Sequence, residues 1–219
     1  MSVRTITFLI TFLATPLYGF AELPFVLLQT FGTTHQPGRI VAGNSERGVT
    51  LQLAEHISTL INEGPEGIEA LIVNPAGKNK NSSVETFNKI NHLRHAVIIK
   101  LTASHSTKPK PSCAIFYRCY NPLTDQIKRP MAPLTPIPLE DVYLTSFNAS
   151  KILAKKLSSH LLTVAQQIVD VKSPAGIPLA NVRGIRHPVI HIEVHIDQAA
   201  QIAQLGDFLA TSIKHMIAS

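Results

Sequence analysis

The sequence predicts a single three-layer α/β domain, with a mixed, mostly parallel sheet flanked by helices. Three observations carry this prediction. Stretches of strand and helix character alternate along the chain, the ordering that wraps a sheet in helices. At 219 residues and 45% apolar content, the chain is large enough to bury one good core. The last two elements show both periods side by side. Apolar residues occupy every second position in Pro188–Ile196, then recur at helical spacing from Ile202 to Met216.

The first residues read differently from the rest. Arg4 is the only charge before Glu22, an apolar run from Ile6 to Leu13 follows it, and Gly19-Phe20-Ala21 offers small residues where a signal peptidase reads. The run is too short for a membrane span, and no cysteine lies near the cut to carry a lipid. Residues 1–21 are expected to be a signal peptide, the alternatives being a retained anchor or a buried first strand. The domain is then 22–219, located in the periplasm or cell envelope, with no transmembrane segment after signal removal.

Phe25–Gln29 is a short apolar run expected to form the first buried strand, and Gly32–Ser45 a polar, glycine-containing loop. Val49, Leu53, Ile57, Leu60 and Ile61 then fall at helical spacing, and Gly64-Pro65 ends that helix. Ile68–Val73 reads as a strand and Asn74–Ser83 as an exposed loop. Ser83 caps a helix that turns Val84, Phe87 and Ile90 inward. Ala96–Leu101 and Ser112–Tyr120 are the next strands. Asn121–Phe147 carries Pro122, Pro130, Pro133, Pro136 and Pro138 and reads as a long proline-rich loop, 121–147. Leu153, Leu157, Leu161, Val164 and Ile168 make one helical face. Pro188–Ile196 is a strand with Ile190, Ile192, Val194 and Ile196 on one side. Asp197 is placed to cap the last helix, which aligns Ile202, Leu205, Leu209, Ile213 and Met216.

The formal charge is +6, with Lys and Arg scattered rather than in runs. That argues against a nucleic-acid partner and suits a polyanionic cell wall or membrane surface. Cys113 and Cys119 are open to oxidation in an exported protein. Six residues of strand, however, span roughly 20 Å, whereas a disulfide needs Cα atoms within about 7 Å. Unless the strand turns sharply, both thiols are free and structural.

The last third carries a resemblance. Leu153-Ala154 in a helix is followed by Gly176-Ile177-Pro178-Leu179, then Val182-Arg183-Gly184, then Pro188-Val189-Ile190-His191-Ile192-Glu193 and a closing helix. This order and spacing resemble the C-terminal half of the zinc-dependent N-acetylmuramoyl-L-alanine amidases. The resemblance implies an amidase-like fold and a zinc bound by His, Glu and His, with a glutamate as general base. Gln29-Thr30-Phe31-Gly32-Thr33-Thr34 stands where that family has its first ligand loop, and Pro37-Gly38 follows at the family's spacing. The first ligand position then falls on Gly32. Ser45-Glu46-Arg47-Gly48-Val49-Thr50-Leu51 matches the stretch that supplies the second, and Glu46 is retained. With Asn91 aligned to the family asparagine, Lys100, Thr102 and Ser104 stand where Ser, His and Asn are expected, so the third ligand position is Thr102. Glu193 matches the general base.

What this implies for chemistry is a loss. Zinc in such an enzyme polarises the carbonyl and brings the pKa of its bound water from about 15.7 towards 7, and a catalytic site takes three protein ligands. Gly32 has no ligand atom, and the Thr102 hydroxyl is a poor substitute for imidazole. Glu46 is then a vestigial ligand, Glu193 a vestigial base, and no cofactor is expected. Two alternatives stay open. His35 and His105, each three residues beyond a lost ligand, would have to move to Glu46 to rebuild the site. His191, Glu193 and His195 share one face of their strand and are candidates for a new metal site, a pH-sensitive contact or a hydrogen-bonded polar surface. The expected function is an exported, catalytically inactive amidase-like domain. It would bind peptidoglycan or build an envelope protein complex such as a secretion-system or cell-wall-anchored assembly. The alternatives are an active amidase with relocated zinc ligands and a regulator that docks on a true amidase.

Overall fold

The computed structural model describes residues 24–73, 90–119, 145–177 and 185–219. The expected signal peptide, the loop Asn74–Ser83, the helix up to residue 89, nearly all of the proline-rich segment, and Val182-Arg183-Gly184 lie outside the described residues.

The chain runs β1 (Phe25–Gln29), β2 (Ile40–Val41), β3 (Asn44–Ser45), α1 (Glu46–Asn62), β4 (Glu69–Val73), β5 (Ala96–His105) and β6 (Ser112–Arg118). It continues with α2 (Phe147–Ala165), β7 (Asp170–Val171), β8 (Ala175–Ile177), β9 (Val189–Ile196) and α3 (Gln201–Ala218). The main sheet has the order β4-β1-β5-β9-β6-β7, with β8 also paired to β6. Among the described residues of this sheet, every pairing is parallel except β6 with β9, which is antiparallel. The sheet is therefore mixed and mostly parallel, as expected.

One face of the sheet is the main core. Val26 and Leu28 of β1, Val97, Ile99, Leu101 and Ala103 of β5, Cys113 and Ile115 of β6, and Ile190, Ile192, Val194 and Ile196 of β9 all point there. They meet Leu53, Ile57 and Ile61 of α1, Leu157 and Leu161 of α2, and Leu205, Leu209 and Ile213 of α3. Burying each such side chain is worth about 1.5–3 kcal/mol, which is why the period-two and period-3.6 patterns lock against each other. Among the described residues, an apolar cluster on the opposite face lies at one end, where Leu27, Ile98 and Val189 pack under Ile90 and Ile185.

Helix α1 begins where the sequence offers a cap: the Ser45 hydroxyl accepts from the Gly48 amide at 3.1 Å. Its end at Asn62, just before Gly64-Pro65, agrees with the breaker reading.

Five local readings need correction. Asp197 is not the cap of the last helix. That helix starts at Gln201, and the Gln201 side-chain oxygen accepts from the Asp197 amide at 2.9 Å and the Gln198 amide at 3.3 Å. Ile168 leaves the helical face because α2 stops at Ala165. The chain turns there, Ile168 is exposed, and Val169 is buried in its place. Phe147 begins α2 rather than closing the irregular segment. The expected loop 32–45 contains a hairpin: Ala42 and Gly43 both have positive φ (48° and 82°), which makes the tight turn between β2 and β3. Finally, β5 continues past Leu101 to His105, which brings Thr102 and Ser104 into the sheet.

No described helix is long and apolar enough to cross a membrane.

Candidate functional site

The partly covered face of the sheet turns polar towards the C-terminal ends of β5 and β9. Three rows of side chains stand there in register. The first is Gln29, Lys100, His191 and Phe116; the second is Thr102, Glu193 and Ala114; the third is Ser104, His195 and Ser112. Strand alternation alone produces this face: the residues between them are the core residues beneath the helices.

Hydrogen bonds tie β5 to β9 across the face. Thr102 Oγ1 and His191 Nε2 are 2.7 Å apart. The Ser104 hydroxyl is bonded to His195 Nδ1. The His191 ring lies 5.6 Å from that of Phe116, and its Nδ1 is buried with no hydrogen-bond partner. Burial, reinforced by Lys100 and opposed by Glu193, brings the His191 pKa down to about 4. This imidazole is neutral at pH 7. Lys100, also partly buried, is pushed below its ordinary pKa by desolvation.

Glu46 enters from the other side, at the first turn of α1, and is almost fully buried (2% exposed). Its Oε1 accepts from the Ala103 amide at 3.3 Å. Its Oε2 accepts from both the backbone amide and the guanidinium Nε of Arg39, each at 3.4 Å. The same guanidinium donates through Nη2 to the Ala103 carbonyl at 3.4 Å and lies 3.9 Å from Glu193 Oε1. Arg39 thus stands between the two acidic residues that the resemblance marks as vestigial. The backbone is shaped for this contact. Gly38 has φ +81°, and a Cβ there would fall 2.8 Å from Glu46 Oε2 and 2.7 Å from the Phe31 ring. The Glu46 amide in turn donates to the Arg39 carbonyl at 2.7 Å.

The remaining candidates do not join this cluster. Gly32 has φ +72°, and a Cβ on it would meet the Gln36 carbonyl oxygen at 2.6 Å. The turn that follows is closed by paired Thr33–Gln36 backbone bonds. His35 is exposed on that turn. His105 is exposed at the end of β5, two residues beyond Ala103 and so on the opposite face from Thr102. His191, Glu193 and His195 share a face as expected, but the two histidines are engaged by Thr102 and Ser104. Among the described residues, no group of three or more His, Cys, Asp or Glu is placed to hold a metal ion.

The zinc implied by the resemblance can be tested against these donors. Both Glu46 oxygens already accept hydrogen bonds, Glu193 faces a guanidinium, and neither Gly32 nor Thr102 supplies an imidazole. The residues present do not fit a catalytic zinc. Sequence reading missed Arg39, a lone cation in a polar loop; its only local signal was Glu46 seven residues later.

No protein-family model matches the sequence, and no curated protein matches it. Solved structures do. N-acetylmuramoyl-L-alanine amidase AmiC2 of Nostoc punctiforme is similar with a TM-score of 0.58 at 13% identity, over 89% of this chain and 95% of that one. The catalytic domain of the amidase CwlV from Bacillus (Paenibacillus) polymyxa var. colistinus gives 0.58 at 13% identity, over 90% and 97%. The CwlD amidase from Clostridioides difficile, solved in complex with the GerS lipoprotein, gives 0.58 at 12% identity, over 89% and 96%. The chain has the fold of the N-acetylmuramoyl-L-alanine amidases, a single α/β domain with a mixed, mostly parallel sheet flanked by helices.

Proposed function

We propose that this chain is an exported amidase-like domain without hydrolytic activity, serving as a peptidoglycan-binding or structural component of a bacterial envelope assembly. The observation that supports it most is the Arg39 guanidinium set between Glu46 and Glu193. A cationic side chain at that point gives Glu46 a counter-charge and lies beside Glu193, so a metal ion would have to displace it to reach either carboxylate. With Gly32 and Thr102 at the other ligand positions, no Lewis acid is held where the scissile carbonyl would be polarised. The N-terminal apolar segment supports export, and the excess of positive charge suits a polyanionic wall. That the similarly folded CwlD was solved bound to a lipoprotein supports an envelope protein as partner.

The test is metal content and cleavage measured together on the mature chain purified with zinc present. Substoichiometric zinc, intact sacculi and co-sedimentation with insoluble peptidoglycan or with an envelope complex are expected. Stoichiometric zinc with release of stem peptides would instead establish an active amidase with relocated ligands. That reading requires His35 and His105 to reach Glu46; both are exposed, one on the Thr33–Gln36 turn and the other at the end of β5.

A further inference from the structure

We infer that Arg39 is the resident cation of this site. Its guanidinium carries out the charge balancing that a metal ion would otherwise supply, and it fastens the turn at Gly38 to the sheet. The comparison with a metal rests on the reading of Glu46 and Glu193 given above; the charge balance itself does not. Glu46 is 2% exposed, whereas the Arg39 side chain is 62% exposed. The carboxylate is therefore the desolvated partner, and the arginine reaches in from solvent to meet it. A buried carboxylate left without a counter-charge is strongly destabilising. Here Arg39 supplies the counter-charge to Glu46 through Nε, while Nη2 closes onto the Ala103 carbonyl and its own backbone amide bonds the same Glu46 oxygen. Guanidinium is planar, permanently charged and weakly hydrated, which fits it to bridge two carboxylates at a partly buried position. Gly38 completes the device, since any side chain there would collide with Glu46. An arginine that merely packed its stem on the surface would need neither the bridging geometry nor the glycine.

The role is tested by thermal unfolding of four proteins, wild type, Arg39→Met, Glu46→Gln and the double variant. Arg39→Met is expected to lower the unfolding midpoint. Adding Glu46→Gln should recover more than half of that drop, because the uncompensated charge is removed while the acceptor for the Ala103 amide is kept. A drop that Glu46→Gln does not reduce would show that Arg39 only packs, and would overturn the inference. Should Arg39→Met fail to accumulate in folded form, the double variant decides: folding supports the charge role, and a second failure overturns it. Zinc uptake and peptidoglycan cleavage by the wild type would defeat the proposed function separately, whatever the comparison between Arg39→Met and the double variant shows.

Discussion

Thr102 and His191 meet diagonally across neighbouring parallel strands, one row apart on the same face, and the 2.7 Å contact between Thr102 Oγ1 and His191 Nε2 is the one hydrogen bond this imidazole makes among the described residues. The pair joins the two strands that also carry Ser104, Glu193 and His195. It occupies a position where the amidase resemblance would put a metal ligand. The hydroxyl there is a hydrogen-bond partner of the ring.

Removing that partner has a definite cost. Thr102→Val is expected to destabilise the domain by about 1–3 kcal/mol, because it leaves both ring nitrogens of a partly buried histidine unsatisfied. Thr102→Ser keeps the hydroxyl and should stay within about 0.5 kcal/mol of wild type on that account. Chemical denaturation of the three proteins side by side measures the difference.

The same histidine makes stability depend on pH. Its folded pKa is about 4, below its ordinary value of 6.5, chiefly through burial. The unfolded chain therefore binds the proton more tightly. Stability is unaffected above about pH 6.5, falls as pH drops from there to about 4, and levels off below. With solvent screening discounted, the full effect is about 2 kcal/mol. His160 and His187 are displaced in the same direction, again mainly by burial. His191→Gln should thus flatten the pH profile in that window without abolishing its slope. An unchanged slope would mean that His191 is protonated as readily in the folded state as in the unfolded one.

Ser45 holds the start of the helix that presents Glu46. Ser45→Ala removes the hydroxyl bonded to the Gly48 amide and should cost about 1 kcal/mol. Amide exchange should report the loss locally, with faster exchange in the first turn of α1 and little change in α3.

The cysteines separate by reactivity. Burial pushes the Cys113 thiol up to about 12, while Cys119 is half-buried, and neither is in a disulfide. Alkylation of the native protein at pH 8 should give one adduct, on Cys119, and a second only after denaturation. Peptide mass mapping distinguishes this from a disulfide, which would give none until reduction.

How much of this could be read from the residues follows from how local each signal is. The alternation of Ile190, Ile192, Val194 and Ile196 and the helical spacing of Ile202, Leu205, Leu209, Ile213 and Met216 come directly from burial on one face, and both are found in the core. Asp197 misled because capping preference says nothing about an intervening turn, and the Gln201 side chain supplies the acceptor instead. The face carrying His191, Glu193 and His195 was legible from strand parity. Arg39 was not, since one of its acids is seven residues away and the other lies on the last strand of the sheet. Only the folded parallel register brings Ala103 and Glu193 to the same guanidinium.

Gly32 gives the proposed loss of chemistry a direction. With φ at +72° and the Gln36 carbonyl occupying the space where a side chain would begin, the turn after β1 has closed around the absence of a Cβ. Replacing Thr102 by histidine asks only for a new side chain on an intact strand. Replacing Gly32 asks for a new path of the chain, because a β-carbon there meets backbone rather than a side chain able to move aside. An attempt to reawaken hydrolysis would thus have to redraw the turn before any ligand could be restored, and the two missing positions differ in how far they can be reversed.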